Sequence, residues 1–567
     1  MPHFRSRPER FRTYISGRVS VEIRPDNGRG VVASLAELSV SGLKAHAPSR
    51  PDALCEADVR IGPHCVRARI VRIEPAAGDG LATNGNDVVL AFLEEQRALV
   101  AELQPRLVPA PYVTAELKLH PGDALVTTAG VSEEVKEAST RDFIESSSPD
   151  LFDKCRRFDE VATDLQTKGL YQPLYRVTLT TALDNRVAVF NPLTRREEEL
   201  ICFDSNSYLG LHLHPRVKRA AMNALQQVGY GTPSAQLLSG TNRYLRELEE
   251  TISRFHGRED TLVFPTGYAA NLGAITGLVR RHDFVTRDQH SHASIHDACS
   301  WSRSRSTRVY AHLDLSKLEN QLKAAGEDPT VHGKLVATDG VFSMRGNVIP
   351  LAELAEVVHR HGARLLVDEA HATGILGPNG RGIEEHFGLP GAIDILVGTF
   401  DKATGTTGGY VCGSREMVSY LRFYANSSVF TASPPAALCA GVTEAFKVMD
   451  EEPEHREALW ANVRYFASAL RDAGLAVSGG ETPILTLFVG TDALLLLLGR
   501  ELFMSGIKCG TVAYPAVPAG QAILRLTVSA RHTREDLDAA VEIFTRAGRE
   551  FDILHRTAEE IQQIREA

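Results

Sequence analysis

From about Leu151 onward, short unbroken apolar runs alternate with longer stretches whose apolar residues recur every three to four positions. TLVFPT, KLVATDG, ARLLVDEAHA and DILVGTF are the runs. Continuous apolar runs bounded by turn residues suit strands buried on both faces. Their alternation with helical patterns predicts a parallel or mixed sheet with crossover helices, an α/β fold. From about Tyr14 to Glu95 the pattern differs. RVSVEIR, GVVASLAELSV, CVRARIVRIE and DVVLAFLEE are separated by PDNGRG, PSRPDA and PAAGDGLATNGND, which predicts a small β-barrel or sandwich. Between Pro105 and Ser148 periodicity is weak, as in a linker with at most a short helical piece. The resulting domain plan is a β-rich unit over 1–108, a linker over 109–147 and an α/β unit over 148–567. The α/β unit divides into a large part at about 205–435 and a small one at about 436–550.

Composition refines this picture in three places. A chain of 567 residues exceeds what one core usually serves, in keeping with several domains. A net charge of −9 argues against a general nucleic-acid binder, although the first twenty residues set Arg5, Arg7, Arg10, Arg12 and Arg18 against Glu9 alone. Eight cysteines with no C-x-x-C spacing point to a reduced, cytoplasmic setting. The longest apolar stretch, ALLLLLG at 493–499, is too short for a membrane span and predicts a buried helix segment, and the N-terminus has no apolar leader.

Candidate chemistry collects where predicted strands end. ARLLVD ends in Asp368, followed by His371. DILVGT ends in Thr399, followed by Lys402 and the small-residue turn ATGTTGG. TLVFP leads into Thr266, Gly267 and Tyr268 at the start of a helix. Singly, each has an ordinary explanation: a helix cap, a solvated lysine, a glycine turn. Jointly they supply what pyridoxal phosphate (PLP) asks of a protein. That cofactor needs a lysine for its aldehyde, donors for its phosphate, an acid to keep its ring nitrogen protonated and an imidazole or aromatic ring against its face.

The segments SPDLFDKCRRF, FDSNSYLGLHLHP, LVFPTGYAANLGAI, DQHSHASIHDA, DGVFSMRGNVIPL, VDEAHATGILGPNGRG, GTFDKATGTTGGYV and YPAVPAGQAILRLTVSARHTREDLD run in the order found in the α-oxoamine synthase family. The chain resembles that family from about Ser148 to Arg549. The resemblance implies a fold-type I PLP-dependent transferase, a homodimer with shared active sites. It would join a small amino acid (glycine, alanine or serine) to an acyl-CoA or acyl-carrier thioester with loss of CO₂. It also implies the site. Lys402 would hold PLP as a Schiff base and move the substrate's α-proton, Asp368 would pair the ring nitrogen, and His371 would bond the phenolic oxygen, with Ser343 nearby. His292 would stack on the ring, and Thr399 with the Gly267–Tyr268 backbone would hold the phosphate; the family's further phosphate contact from a neighbouring subunit either comes from Thr431 or is missing. Asn206 and Arg525 would receive the amino-acid carboxylate. No metal is implied.

Departures from the family pattern fall beside this set. Asp401 replaces the usual serine before the lysine, where it either favours the ammonium form of Lys402 or points away. Gln236 and Leu245 stand where the family has arginine and histidine, Arg345 where it has an acid, and FTASPPA where it has FSTSLPP. These substitutions are expected on substrate-side and subunit-side positions. A retro-Claisen lyase on the same scaffold, such as an amino-ketobutyrate ligase, is a neighbouring alternative. In the N-terminal part, Glu37-x-Ser39-x-x-Gly42 resembles the second signature of PilZ domains, small β-barrels that often bind cyclic di-GMP. The first signature residue is Glu, and Arg7, Arg10 and Arg12 lack the family's arginine spacing. A third reading follows, a cyclic-dinucleotide receptor with an inactive PLP-fold dimerisation domain.

Overall fold

The computed structural model describes residues 143–561 apart from 168, 172, 173, 515, 519 and 557–559, together with the backbone of eight strands between residues 13 and 109. The chain divides into two compact units, one holding residues 1–138 and 142–172, the other built on 173–191 and 196–567.

In the first unit every described strand pairing is antiparallel. Ser20–Pro25 pairs with Glu56–Ile61, then His64–Pro75, Asn86–Phe92, Gly42–Ala47 and Val31–Ser39 follow in order. Val31–Ser39 also pairs with Ser20–Pro25, so these six strands close a ring; Thr13–Ile15 and Leu107–Pro109 extend it at one side. Residues Arg7, Arg10 and Arg12 and the side chains of the PilZ-like signature lie outside the described residues, as does most of the 109–147 segment.

The second unit carries two sheets. The larger has seven strands: β1 (Asp260–Phe264), β2 (Phe284–Asp288), β3 (Ser306–Tyr310), β4 (Lys334–Asp339), β5 (Arg364–Asp368), β6 (Ile395–Thr399) and β7 (Gly409–Gly413). Their order is β1-β7-β6-β5-β4-β2-β3, and only β7 runs against its neighbours. β1, β4, β5 and β6 are the runs predicted from the sequence. Crossover helices cover both faces, so the central strands have no solvent side and read as unbroken apolar runs. The first of these helices, Gly267–Leu278, starts where the Thr266 hydroxyl accepts the Ala269 N–H at 3.0 Å.

The second sheet has six strands, in the order Val477–Gly479, Ile484–Gly490, Ala522–Thr527, Ile507–Val512, Arg196–Phe203 and Arg186–Asn191. Two of its strands therefore come from before residue 205. The ALLLLLG stretch lies in the helix Asp492–Met504, which buries Leu495, Leu498 and Leu502. One apolar cluster is continuous from Val336, Val367 and Leu396 of the large sheet to Leu485, Leu524 and Leu526 of the second. That shared core holds the strand ends of the two sheets in fixed relation. Among the described residues no helix is long and apolar enough to cross a membrane.

Candidate active site

Because β4, β5 and β6 are parallel neighbours, their last residues open on one edge of the sheet, where α/β proteins place their ligands. Asp339 ends β4 and Asp368 ends β5, and the two are register partners. Thr399 ends β6 opposite Gly409.

Asp368 is buried, and its Oδ2 accepts the side-chain amide of Asn271 at 2.6 Å, while Oδ1 accepts the Ala370 N–H at 2.9 Å. Asn271 also donates to the Ser294 hydroxyl at 2.9 Å, and its own Oδ1 is buried without a partner. Burial, reinforced by the adjacent Asp368 carboxylate, pushes the Asp339 carboxyl well above its ordinary range. Asp339 nevertheless accepts the His292 N–H at 2.9 Å, which fixes the turn carrying that histidine. The His292 ring is exposed and shares a 2.7 Å hydrogen bond with Ser294.

His371 is buried and bonded through Nδ1 to the Tyr208 hydroxyl at 2.6 Å. Burial, with the charges of Lys402 and Arg525 next in size, holds its imidazole well below the ordinary histidine value, so the ring is neutral. Burial likewise raises Tyr208 to about 12, and its hydroxyl keeps its proton.

Thr399 and Gly267 face each other. A Cβ at Gly267 would stand 2.8 Å from the Thr399 Cβ and 2.9 Å from its hydroxyl, so only glycine admits this approach of helix start to strand end. The Thr399 hydroxyl donates to Asp401 and lies 3.0 Å from the Gly408 carbonyl. Lys402 places Nζ 3.2 Å and 3.3 Å from the two Asp401 oxygens; of the two readings open from sequence, the contact is the one observed. Tyr268 sends its hydroxyl to Asp297.

Arg525 lies on the second sheet, 319 residues along the chain from Asn206, yet its Nη1 and Nη2 both reach Asn206 Oδ1 at 3.2 Å. Its Nε donates to the Ser343 carbonyl at 2.6 Å, which ties the VFSM turn to this guanidinium. Ser343, Asn206 and Arg525 therefore meet.

Among the described residues no hydrogen bond joins Thr431 to this set. It lines a separate concavity of about 520 Å³ with Pro233, Leu237, Leu238 and Phe430. Of the departures, Gln236 donates to the Val263 carbonyl at 2.7 Å and Leu245 is buried in the core. The expectation of a substrate-side or subunit-side position is thus corrected for Leu245: an apolar side chain on the inner face of the helix Arg243–His256 packs inward. Arg345 reaches the Gln521 side chain at 3.1 Å.

Sequence reasoning missed Asn271, Asp339, Ser294 and Tyr208. Asp339 had a signal, since KLVATD ends in an acid as ARLLVD does. Asn271 sits one turn into a helix and Tyr208 in a loop, where nothing local marks them.

A lysine, a buried acid and a glycine-faced threonine at the carboxyl edge of such a sheet define a PLP-dependent enzyme. The aminotransferase class I and II family model matches residues 198–544. The chain is 40% identical over 428 residues to the 4-hydroxy-2,2'-bipyrrole-5-methanol synthase PigH of Serratia sp., covering 75% of this chain and 65% of that one. It is 38% identical over 362 residues to 8-amino-7-oxononanoate synthase 1 of Bacillus subtilis, covering 64% of this chain and 91% of that one. A solved serine palmitoyltransferase of Sphingomonas wittichii superposes with a TM-score of 0.67 at 31% identity, over 71% of this chain and all of that one, 100%. The chain belongs to the aminotransferase class I and II family, and within it is a PLP-dependent acyltransferase of the α-oxoamine synthase type.

Proposed function

We propose that the protein catalyses a decarboxylative condensation of glycine, alanine or serine with an acyl-CoA or acyl-carrier thioester. A C–C bond forms between the amino acid's α-carbon and the acyl carbon, and the acyl C–S bond breaks. CO₂ and the free thiol leave with an α-aminoketone. The observation that carries this reading is the Arg525–Asn206 pair, a carboxylate receptor held beside the Ser343 turn.

The residues fit PLP. The Gly267–Thr399 approach leaves a cradle that a Cβ would fill, the Asp368 carboxylate is buried at a strand end, and Asn271 keeps an unpartnered oxygen next to it. When bound, PLP supplies the electron sink for negative charge at the α-carbon.

Lys402 would hold the cofactor through its aldehyde and, once free, would move the substrate's α-proton. Asp368 fixes positive charge at the ring nitrogen, with Asn271 holding its Oδ2. Burial beside Asp368 disfavours a second negative charge on Asp339, and its hold on the His292 backbone would set that imidazole against the ring. His371, kept neutral and anchored by Tyr208, hydrogen-bonds the ring's oxygen. Thr399 and the first N–H groups of Gly267–Leu278 take the phosphate. Arg525 grips the substrate carboxylate with its planar fork.

Thr431, which lines a separate concavity, would contact the phosphate of a second copy in a homodimer. The first 108 residues are read as a PilZ-like barrel used for docking or dimerisation; the alternative, cyclic di-GMP as its ligand, would run through Arg10, Arg12, Ser39 and Gly42. Calorimetry of the full chain with cyclic di-GMP tests that part. The catalytic reading is tested by incubating a panel of amino acids with CoA and carrier thioesters and weighing the products. An aminoketone mass for one pair is expected, and no condensed product from any pair would overturn it.

A further inference from the structure

We propose a divalent transition-metal site at His214, Glu452 and His455, apart from the residues that serve the reaction. His214 immediately precedes the helix Pro215–Val228, Glu452 follows Ala436–Glu451, and His455 lies in the first turn of Glu454–Asp472. The first two helices pack against each other, so three helix ends converge. One ligand atom from each residue lies within 4.8 Å of the others. The Glu452 Oε2 stands 3.2 Å from His214 Nε2 and 3.4 Å from His455 Nε2. Metal–ligand bonds of about 2.0–2.1 Å at tetrahedral angles give ligand–ligand edges of about 3.3 Å, the spacing of the two edges that meet at Glu452. Two imidazoles and a carboxylate are a set that zinc and its neighbours accept with a fourth position left for water. All three residues are half-buried, which leaves that position open to solvent.

The surroundings orient the ligands. Glu452 Oε1 accepts Arg216 Nη1 at 2.8 Å, which turns Oε2 toward the histidines. Arg216 also bonds Glu444 at 2.7 Å and Glu451 at 2.6 Å. One guanidinium thus faces three carboxylates, and the cluster keeps an excess of negative charge that a dication offsets. The His214 Nδ1 is buried without a partner, so the imidazole gains nothing on that side from its present arrangement. A metal held here ties the start of Pro215–Val228 to the corner between the other two helices.

The test uses the full-length holoenzyme stripped of metal and titrated with zinc against a chromophoric chelator. One equivalent per chain is expected in the wild type, bound at least about tenfold more weakly in both His455→Ala and Glu452→Gln. Zinc should also raise the melting temperature of the wild type and of neither variant. Glu452→Gln preserves size and hydrogen bonding, so loss through misfolding is separable from loss of a ligand. Equal zinc uptake and equal melting shifts in all three proteins, or no uptake by any, would show an ion-pair cluster only.

Discussion

Lys402 and Asp401 are paired side by side, with the ammonium 3.2 and 3.3 Å from the two carboxylate oxygens. The same carboxylate takes the hydroxyl of Thr399, the residue assigned to the cofactor phosphate. A negative charge at that point repels a phosphate dianion and competes for its donor. Asp401→Ser should therefore bind PLP more tightly, by about tenfold or ~1.4 kcal/mol. Fluorescence titration of the apo protein measures it, and weaker binding in the variant would mean that Asp401 supports the cofactor.

Lys402→Ala should fold as the wild type does and lose all turnover. Borohydride treatment followed by peptide mapping should fix PLP to Lys402 in the wild type and to no residue in the variant. PLP fixed on another lysine would move the Schiff base and, with it, the assignment of Asp368.

Asp368→Asn should retain part of its PLP while turnover falls by roughly a thousandfold or more, because an amide cannot fix positive charge on the ring nitrogen. Absorbance quantifies the bound cofactor and product mass the rate. Near-normal turnover would place the nitrogen's partner elsewhere.

How much of this site was legible in the sequence depended on distance along the chain. Asp368, Thr399, Lys402 and Gly267 each follow an apolar run, and the physics that buries the run aims its last residues at the sheet edge. The Arg525–Asn206 contact joins positions 319 residues apart, and only the family resemblance pointed to it. Asn271 and Tyr208 act through the groups they orient, Asp368 and His371, and a polar residue in that role has no periodicity of its own. Leu245 shows the converse. Its departure from the family pattern suggested a substrate-side or subunit-side position, while its place on an amphipathic helix, between Asn242 at the cap and Leu248 and Ile252 in the core, required burial.

A buried histidine with no assigned part in the chemistry predicts how stability follows pH. His532 stacks on Phe203 with ring centroids 4.5 Å apart, accepts the Ser529 N–H at Nδ1 and donates Nε2–H to the Cys202 carbonyl. Burial lowers its value from 6.5 to about 4. The folded state thus favours the neutral ring. Its contribution is complete above the unfolded value of 6.5 and is lost as pH falls toward 4. Between neutral pH and pH 5 the wild type should lose about 2 kcal/mol through this residue. Urea unfolding at both pH values should show a smaller loss in His532→Gln, and equal losses in the two proteins would remove His532 from the account.

The central claim is that this site joins two substrates with loss of the amino acid's carboxyl group. Supplying the productive amino acid labelled with ¹³C at the carboxyl, together with its thioester, and counting labelled CO₂ against free thiol tests it most directly. Equal amounts of the two, appearing only when both substrates are present and vanishing in Lys402→Ala, are predicted. Thiol release without labelled CO₂ would indicate the retro-Claisen chemistry run in reverse, and release of neither would contradict the acyl transfer itself.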